Sequence, residues 1–326
     1  MAHEAMNLAR AMGLKSVFTD HSLFGFADMS AIVTNNFLAL SLADVNHCIC
    51  VSYVGKENTV LRANVDEKKV SVIPNALDSH IFKPDPSQRP ANKSDGPKRS
   101  ILEEVRDEVG SERLKLLGAV PHAEVHGVLV RGHIFLNTSL TEAFCIAICE
   151  AVCSGLQVVS TNVGGIPEVL PSHLILLAYP TVQSLTQKLE LAIKREVTGE
   201  GLDPWVMHEE MKNIYLWSDV VQRTEVIYDQ VHLEESSADL VHRIPRYKKC
   251  GLLAGWFMMF LVTLQFLLLK ICDRLWPAKD IDIALDYPVD CSSFQEINKN
   301  SVAHSSSSPV GNGTQPISTD SKRRHN

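Results

Sequence analysis

Glu142 and Glu150 stand eight positions apart in the segment TSLTEAFCIAICEA, residues 138–151. If a helix opens near Glu142, the two lie ~12 Å apart along its axis and about 80° apart around it. Carboxylates so spaced can accept hydrogen bonds at the two ends of an elongated polyhydroxyl ligand: one from a sugar, the other from both hydroxyls of a ribose. The free N–H groups at such a helix start, with the helix dipole, favour an anion such as a pyrophosphate between them. A glutamate pair on one helix is also how a solvated face reads. Glu150, however, sits among Ile146, Ala147, Ala151 and Val152, where a charge needs a partner.

Two further features could serve the same site. Gly164 and Gly165 in NVGGIPEVL follow an apolar run, and paired glycines allow a tight turn and close backbone approach to a ligand. They are also ordinary turn chemistry. His21 in FTDHSLFG ends a strand-like run, and open α/β sheets bind ligands at the carboxyl ends of their strands; a lone histidine there is more often structural than catalytic. None of the eight cysteines forms a Cys-x-x-Cys pair, which argues against a zinc or thioredoxin-type site. Cys145, Cys149 and Cys153 recur every four residues, as small apolar core residues on one helix face would.

The elements that must position these groups alternate. A helix is expected over about residues 2–13, then strands at Ser16–His21, Cys48–Tyr53 and Val70–Asn75 with helical pattern between them. This is the rhythm of an open parallel sheet. Residues 84–100, rich in Pro, Ser, Asn and charge, read as a linker. A charged helix at Ile101–Val109, a short strand in LKLLGAV (114–120) and a helix near His122–Val130 follow. Next come a strand at His133–Ser139, a helix at Glu142–Ser154 and strands at Leu156–Thr161 and Leu174–Tyr179. Two helices close this part, the last presenting Val221, Thr224, Tyr228 and Val231 on one face.

From Cys250 to Leu269 no residue is charged, and 20 helical residues make about 30 Å, one hydrocarbon thickness. Arg243, Arg246, Lys248 and Lys249 precede this run, whereas Lys270, Arg274 and Lys279 follow it among three aspartates, which places the N-terminal side in the cytosol. The opening MAHEAMNLARAMGL has neither the basic start nor the apolar stretch of a signal peptide, an expectation that agrees. Residues 291–326 are rich in Ser and Asn and read as disordered. A net charge of −7 argues against a nucleic-acid partner, which calls for clustered basic surface.

Taken together, TSLTEAFCIAICEA and GLQVVSTNVGGIPEVL resemble the donor-binding core of retaining GT-B glycosyltransferases, with two glutamates separated by seven residues. VIPNALDSHIFKPDP (72–86) resembles the junction between that family's two Rossmann-like domains. FTDHSLFGFAD, CVSY followed by KENTVLRA, GHIFLNTSLTEAFC, YLWSDVVQRTEVIYDQV and the single C-terminal span are similar to the A-subunit family of phosphatidylinositol N-acetylglucosaminyltransferases. The resemblance runs from Met1 to about Asp286. It implies transfer of N-acetylglucosamine from UDP-N-acetylglucosamine to phosphatidylinositol, with retention, at the start of glycosylphosphatidylinositol anchor synthesis. It also implies a cytosolic-face enzyme of the endoplasmic reticulum membrane, working beside the other subunits of a membrane complex.

By the same resemblance Glu142 contacts the donor sugar, Glu150 the ribose, and His21 the sugar from the other domain. The amides of Thr141, Glu142, Ala143 and Phe144 receive the diphosphate beside Gly164 and Gly165. No metal or other cofactor is implied, and the departing phosphate helps deprotonate the acceptor.

The expected architecture is α/β of GT-B type, two Rossmann-like halves, both incomplete, and one C-terminal transmembrane helix. Residues 1–83 form the acceptor-side half, 84–100 a linker and 101–232 the donor-binding half. A basic juxtamembrane linker (233–249), the span (250–269) and a lumenal tail (270–326) follow. Relative to the family pattern, the first half opens late, without a Gly-rich loop. KPDP runs straight toward GPKR (96–99) where a strand followed by a diphosphate-gripping Arg and Lys belongs. The chain therefore resembles a shortened variant, for which a non-catalytic, membrane-anchored interaction subunit is the alternative reading.

Overall fold

The computed structural model describes residues 2–25, 29–88, 117–234 and 244–277. The charged helix expected at 101–109, the tail beyond 277 and most of the 84–100 linker lie outside these residues. The chain through Ile271 forms one unit; of the second, Cys272–Asn326, the described part is the end of the last helix, through Pro277.

The first half runs α1 (Ala2–Ala11), β1 (Val17–Asp20), α2 (Met29–Leu42), β2 (His47–Cys50), α3 (Tyr53–Ala63) and β3 (Val70–Val72). Its strands are parallel in the order β1-β2-β3, with Asp20, Cys50 and Val72 abreast at their carboxyl ends. All four residues of β2 are buried, as befits the middle strand of a parallel sheet covered on both faces. The strand expected through Tyr53 stops at Cys50. Ser52 turns the chain into α3 by accepting a hydrogen bond from the Gly55 amide at 3.0 Å, the side-chain cap that ends one element and starts the next.

The second half contains α4 (His122–Leu129), β4 (Ile134–Asn137), α5 (Ile146–Cys153), β5 (Gln157–Thr161), α6 (Ile166–Val169), β6 (Ile175–Ala178), α7 (Val182–Thr198), α8 (Pro204–Met211) and α9 (Trp217–Leu233). Its sheet is also parallel, in the order β4-β5-β6. No strand forms over Leu117–Val120, the described part of LKLLGAV. Three helices close this part rather than two: Asp203 caps α8 by accepting from the Trp205 and Val206 amides, which separates it from α7.

Helix α9 returns to the first half. Ile227 and Val231 pack against Ile49 and Ile73, and Lys15 Nζ donates to the carbonyls of His232 and Glu234 at the helix end, where a cation suits the dipole. The face expected from Val221 and Tyr228 is not the buried one. They are 46% and 54% exposed, whereas Val231 of the same expected face is buried, because the stripe that meets the sheet runs through Val220, Ile227 and Val231.

Residues Ile244–Cys250, expected to be a linker, form a 3-10 turn with a place in the packing. Tyr247 is buried against Met259 and Val262, and Arg246 pairs with the buried Asp44 at 2.5 Å. Gly255 is needed where the next helix crosses this turn, since a Cβ there would lie 2.4 Å from the Tyr247 carbonyl oxygen. That helix, α10 (Leu252–Leu275), includes 23 residues, Leu253–Leu275, long and apolar enough to cross a membrane. Only 17% of its most apolar stretch is buried within the chain, unlike the core helix of a soluble domain.

Candidate functional site

The carboxyl ends of β4 and β5 are locked by side chains. Asn137 Nδ2 donates to Ser160 Oγ at 3.0 Å, Ser139 Oγ to Asn137 Oδ1 at 2.9 Å, and Thr161 Oγ1 to the Ser139 carbonyl at 2.6 Å. From this fixed rim the chain enters Thr141–Cys145, which is not helical. The helix expected from Glu142 begins at Ile146, after Cys145 takes a left-handed conformation at φ 60°. Such backbone is costly for a residue with a Cβ, and it bends the chain before α5 can start. Glu142 is therefore a loop residue four positions before the helix, and the spacing derived for two glutamates on one helix does not apply.

The loop is pinned from both sides. Ala143 and Phe144 turn inward and are buried. Phe144 meets Tyr215 edge-on at 5.3 Å, and the Tyr215 hydroxyl donates to the Val169 carbonyl at 2.6 Å. Their side chains are thus core, and only their backbone is free to face a ligand. On the other side the Gly165 amide donates to the Glu142 carbonyl at 2.9 Å. A Cβ on Gly165 would lie 2.1 Å from the Ala143 carbonyl oxygen, and one on Gly164, at φ 53°, 2.1 Å from that of Glu142. Both glycines are needed for backbone to lie on backbone. Thr141 stays exposed and Glu142 half-buried.

Glu150 lies in the last turn of α5 and is 7% exposed. Burial raises its pKa, with the nearby His122 working in the opposite direction. Among the described residues no group hydrogen-bonds its carboxylate. Its oxygens are not among the fully enclosed, unpaired polar atoms of the described residues, which are His3 Nδ1, Ser16 Oγ and Ser154 Oγ. The carboxylate thus keeps a solvent-facing edge that a ligand can reach, while the burial around it disfavours its charge. The three cysteines of this segment behave as core thiols: burial raises Cys145 to about 11 and Cys153 to about 12.

His21 is exposed in the loop that follows β1. Two residues on, Leu23 reaches the glycine pair, its Cδ2 standing 2.7 Å from where a Gly164 Cβ would be. The His21 loop is tied down by groups that sequence reasoning missed. The buried Asp20 accepts from the Ser22 amide and hydroxyl and from Thr59 Oγ1. Asn58 bonds both the amide and the carbonyl of Phe24, over whose ring Arg62 sits at 4.7 Å. Asp20 before Ser22 was a readable turn signal; Asn58, Thr59 and Arg62 come from α3, within the KENTVLRA segment that carried the family resemblance but no sign of this contact.

The site so assembled has two parallel, helix-flanked sheets, with the ends of β1 and β2 meeting the loops after β4 and β5 across a glycine pair. This is the GT-B class of glycosyltransferase. Residues 60–195 match the model of group 1 glycosyl transferases and residues 1–28 that of PIGA (GPI anchor biosynthesis). The chain is 46% identical to the human A subunit of phosphatidylinositol N-acetylglucosaminyltransferase, over 88% of this chain and 67% of the human one. It is 43% identical to the Arabidopsis thaliana protein of the same name, over 88% and 72%. The Anabaena protein HepE, solved in complex with UDP, is similar in fold at a TM-score of 0.59 and 16% identity, over 70% of this chain and 77% of that one. The chain belongs to the A-subunit family of phosphatidylinositol N-acetylglucosaminyltransferases.

Proposed function

We propose that this chain transfers N-acetylglucosamine from UDP-N-acetylglucosamine to phosphatidylinositol, as the catalytic subunit of a complex on the cytosolic face of the endoplasmic reticulum membrane. The observation that carries the donor half of this reading is Glu150. It is a largely buried residue whose carboxylate has no hydrogen-bonding partner among the described residues, on the helix that follows the loop held by the glycine pair. A ribose would supply two hydroxyl donors and meet the cost of its burial. Glu142, half-buried on that loop, takes the sugar. The backbone amides of Thr141–Phe144 and the amide-rich start of α5 take the diphosphate. His21 approaches the sugar from the first half, on the loop that Asp20 fixes. A span beginning right after the docked Ile244–Cys250 turn keeps the site beside a lipid acceptor.

The test of the donor assignment is UDP affinity. Glu150→Gln is expected to weaken binding about ten- to a hundredfold, the worth of hydrogen bonds to a charged acceptor, while leaving the fold intact. Calorimetry giving equal affinity for both proteins, or no binding to either, would remove Glu150 from the ribose.

A second reading, an anchored subunit that occupies the complex without turning over, is favoured by one observation. KPDP runs toward GPKR without the strand followed by Arg and Lys that the resemblance places at the diphosphate, and of the basic residues past KPDP in this segment (Arg89, Lys93, Lys98 and Arg99) only Lys98 and Arg99 are adjacent. Cations aimed at developing charge often supply the largest catalytic term. On the first reading the same deficit makes the chain a transferase of reduced rate; on the second there is no turnover at all.

A further inference from the structure

The loop that carries Gly164 and Gly165 makes one more contact, across the two halves. Glu168 reaches from α6 to the start of α3, where its Oε2 accepts from the Tyr53 amide at 2.6 Å and its Oε1 from the Val54 amide at 2.9 Å. The next amide, Gly55, is taken by the Ser52 hydroxyl. Three successive N–H groups that a helix start leaves open are thus closed, two of them by a residue more than a hundred positions away. Both oxygens of one carboxylate are used, at the positive end of a helix, in charge-assisted bonds. Beside them Gly165 packs so closely that a Cβ would lie 2.8 Å from Ser52 Oγ. The same loop backs onto Glu142 through the Gly165 amide.

We propose that Glu168 is a positioning residue: it clasps the donor-side glycine loop to the α3 N-terminus and so holds the first half closed over the donor. The inference rests on the transferase reading for its link to the donor, but the clasp itself does not. Opening the cleft between α3 and the glycine loop has to break both bonds. A donor that binds only the closed arrangement then binds more weakly when Glu168 is lost, in proportion to the closed fraction forfeited.

The test uses the full-length chain in detergent and three variants. Glu168→Ala removes both acceptors and Glu168→Gln keeps one oxygen. Tyr53→Pro removes one donor without breaking the helix, because proline is tolerated at the first helical position and Ser52 already has extended backbone at φ −149°, ψ 163°. Hydrogen exchange at the Val54 amide is expected to rise about tenfold or more in Glu168→Ala and less in Glu168→Gln, the loss of bonds to a charged partner setting the scale. UDP affinity is expected to fall in the same order. The double variant Glu168→Ala, Tyr53→Pro should be no weaker in UDP binding than Glu168→Ala alone, since the two changes remove a shared bond. Unchanged Val54 exchange in Glu168→Ala, or strictly additive losses in the double variant, overturns the clasp. A wild-type chain that binds no UDP overturns the transferase reading instead, and the exchange measurement still decides whether the clasp closes the halves.

Discussion

Glu150 is the residue at which stability and function pull apart. Burial raises its pKa, so over the interval between the ordinary carboxylate range and that raised value the folded state holds a proton the unfolded chain has lost. Stability contributed at this position therefore falls as pH rises through the interval, and the penalty stays in full above it. Glutamine carries no such penalty. Glu150→Gln is expected to melt higher than wild type at neutral pH, with the difference vanishing as the pH drops into the ordinary carboxylate range and below. A thermal melt series against pH checks it, and a variant that melts lower at neutral pH contradicts it. A substitution that stabilises the chain while weakening UDP is the mark of a residue kept for its ligand. The burial of Glu150 was legible in its apolar neighbours. The position of Glu142 was not, because a single left-handed residue, Cys145, sets the helix start, and side-chain types do not announce it. Glu168 and Ser52 were silent for another reason: each acts on a partner from the other half or at an element boundary, and neighbours in sequence carry no trace of such a contact.

Elements were easier to read where periodicity is long and harder where packing chooses the face. The α1, β1, β2, β3, β4, β5 and β6 segments follow from apolar runs between turn residues, and their ends shift only by a few positions. The short strand expected in LKLLGAV has no ladder partner over Leu117–Val120, and apolar composition alone cannot supply one. In α9 a helical stripe was evident, but Val221 and Tyr228 were grouped with Val231 because adjacent stripes look alike until the sheet selects one. The consequence is measurable by denaturation. Ile227→Ala, which opens a space against Ile49 and Ile73, is expected to cost about 2–5 kcal/mol. Tyr228→Ala, on the exposed side, is expected to change stability by about 0.5 kcal/mol or less. Equal losses from the two would mean that α9 does not pack as described.

At the scale of the whole molecule, two small parallel sheets and one apolar helix must be arranged so that a water-soluble donor meets a lipid acceptor. The orientation proposed has the site in the cytosol and the tail in the lumen. Asn312-Gly313-Thr314 then lies where an N-glycan can be added, whereas Asn92-Lys93-Ser94 and Asn137-Thr138-Ser139 do not. Asn137 is in any case engaged with Ser160 at the end of β4. Endoglycosidase mapping is expected to find no sugar on Asn92 or Asn137, and sugar on either reverses the orientation. The rate follows from charge. The start of α5 offers a dipole equivalent to about half an elementary charge, and the loss of even one preorganised donor at a departing group costs on the order of a hundred- to a thousandfold. The most direct measurement is transfer of labelled N-acetylglucosamine from UDP-N-acetylglucosamine to phosphatidylinositol in microsomes from cells that express this chain in place of their own A subunit. The expected result is labelled product formed about a hundred- to a thousandfold more slowly than with the human protein, and lowered by about a further tenfold or more by Glu150→Ala at sub-saturating donor. Absence of product, or an undiminished rate with Glu150→Ala at sub-saturating donor, contradicts the account, and a rate within about tenfold of the human protein contradicts the charge deficit on which the reduced rate rests.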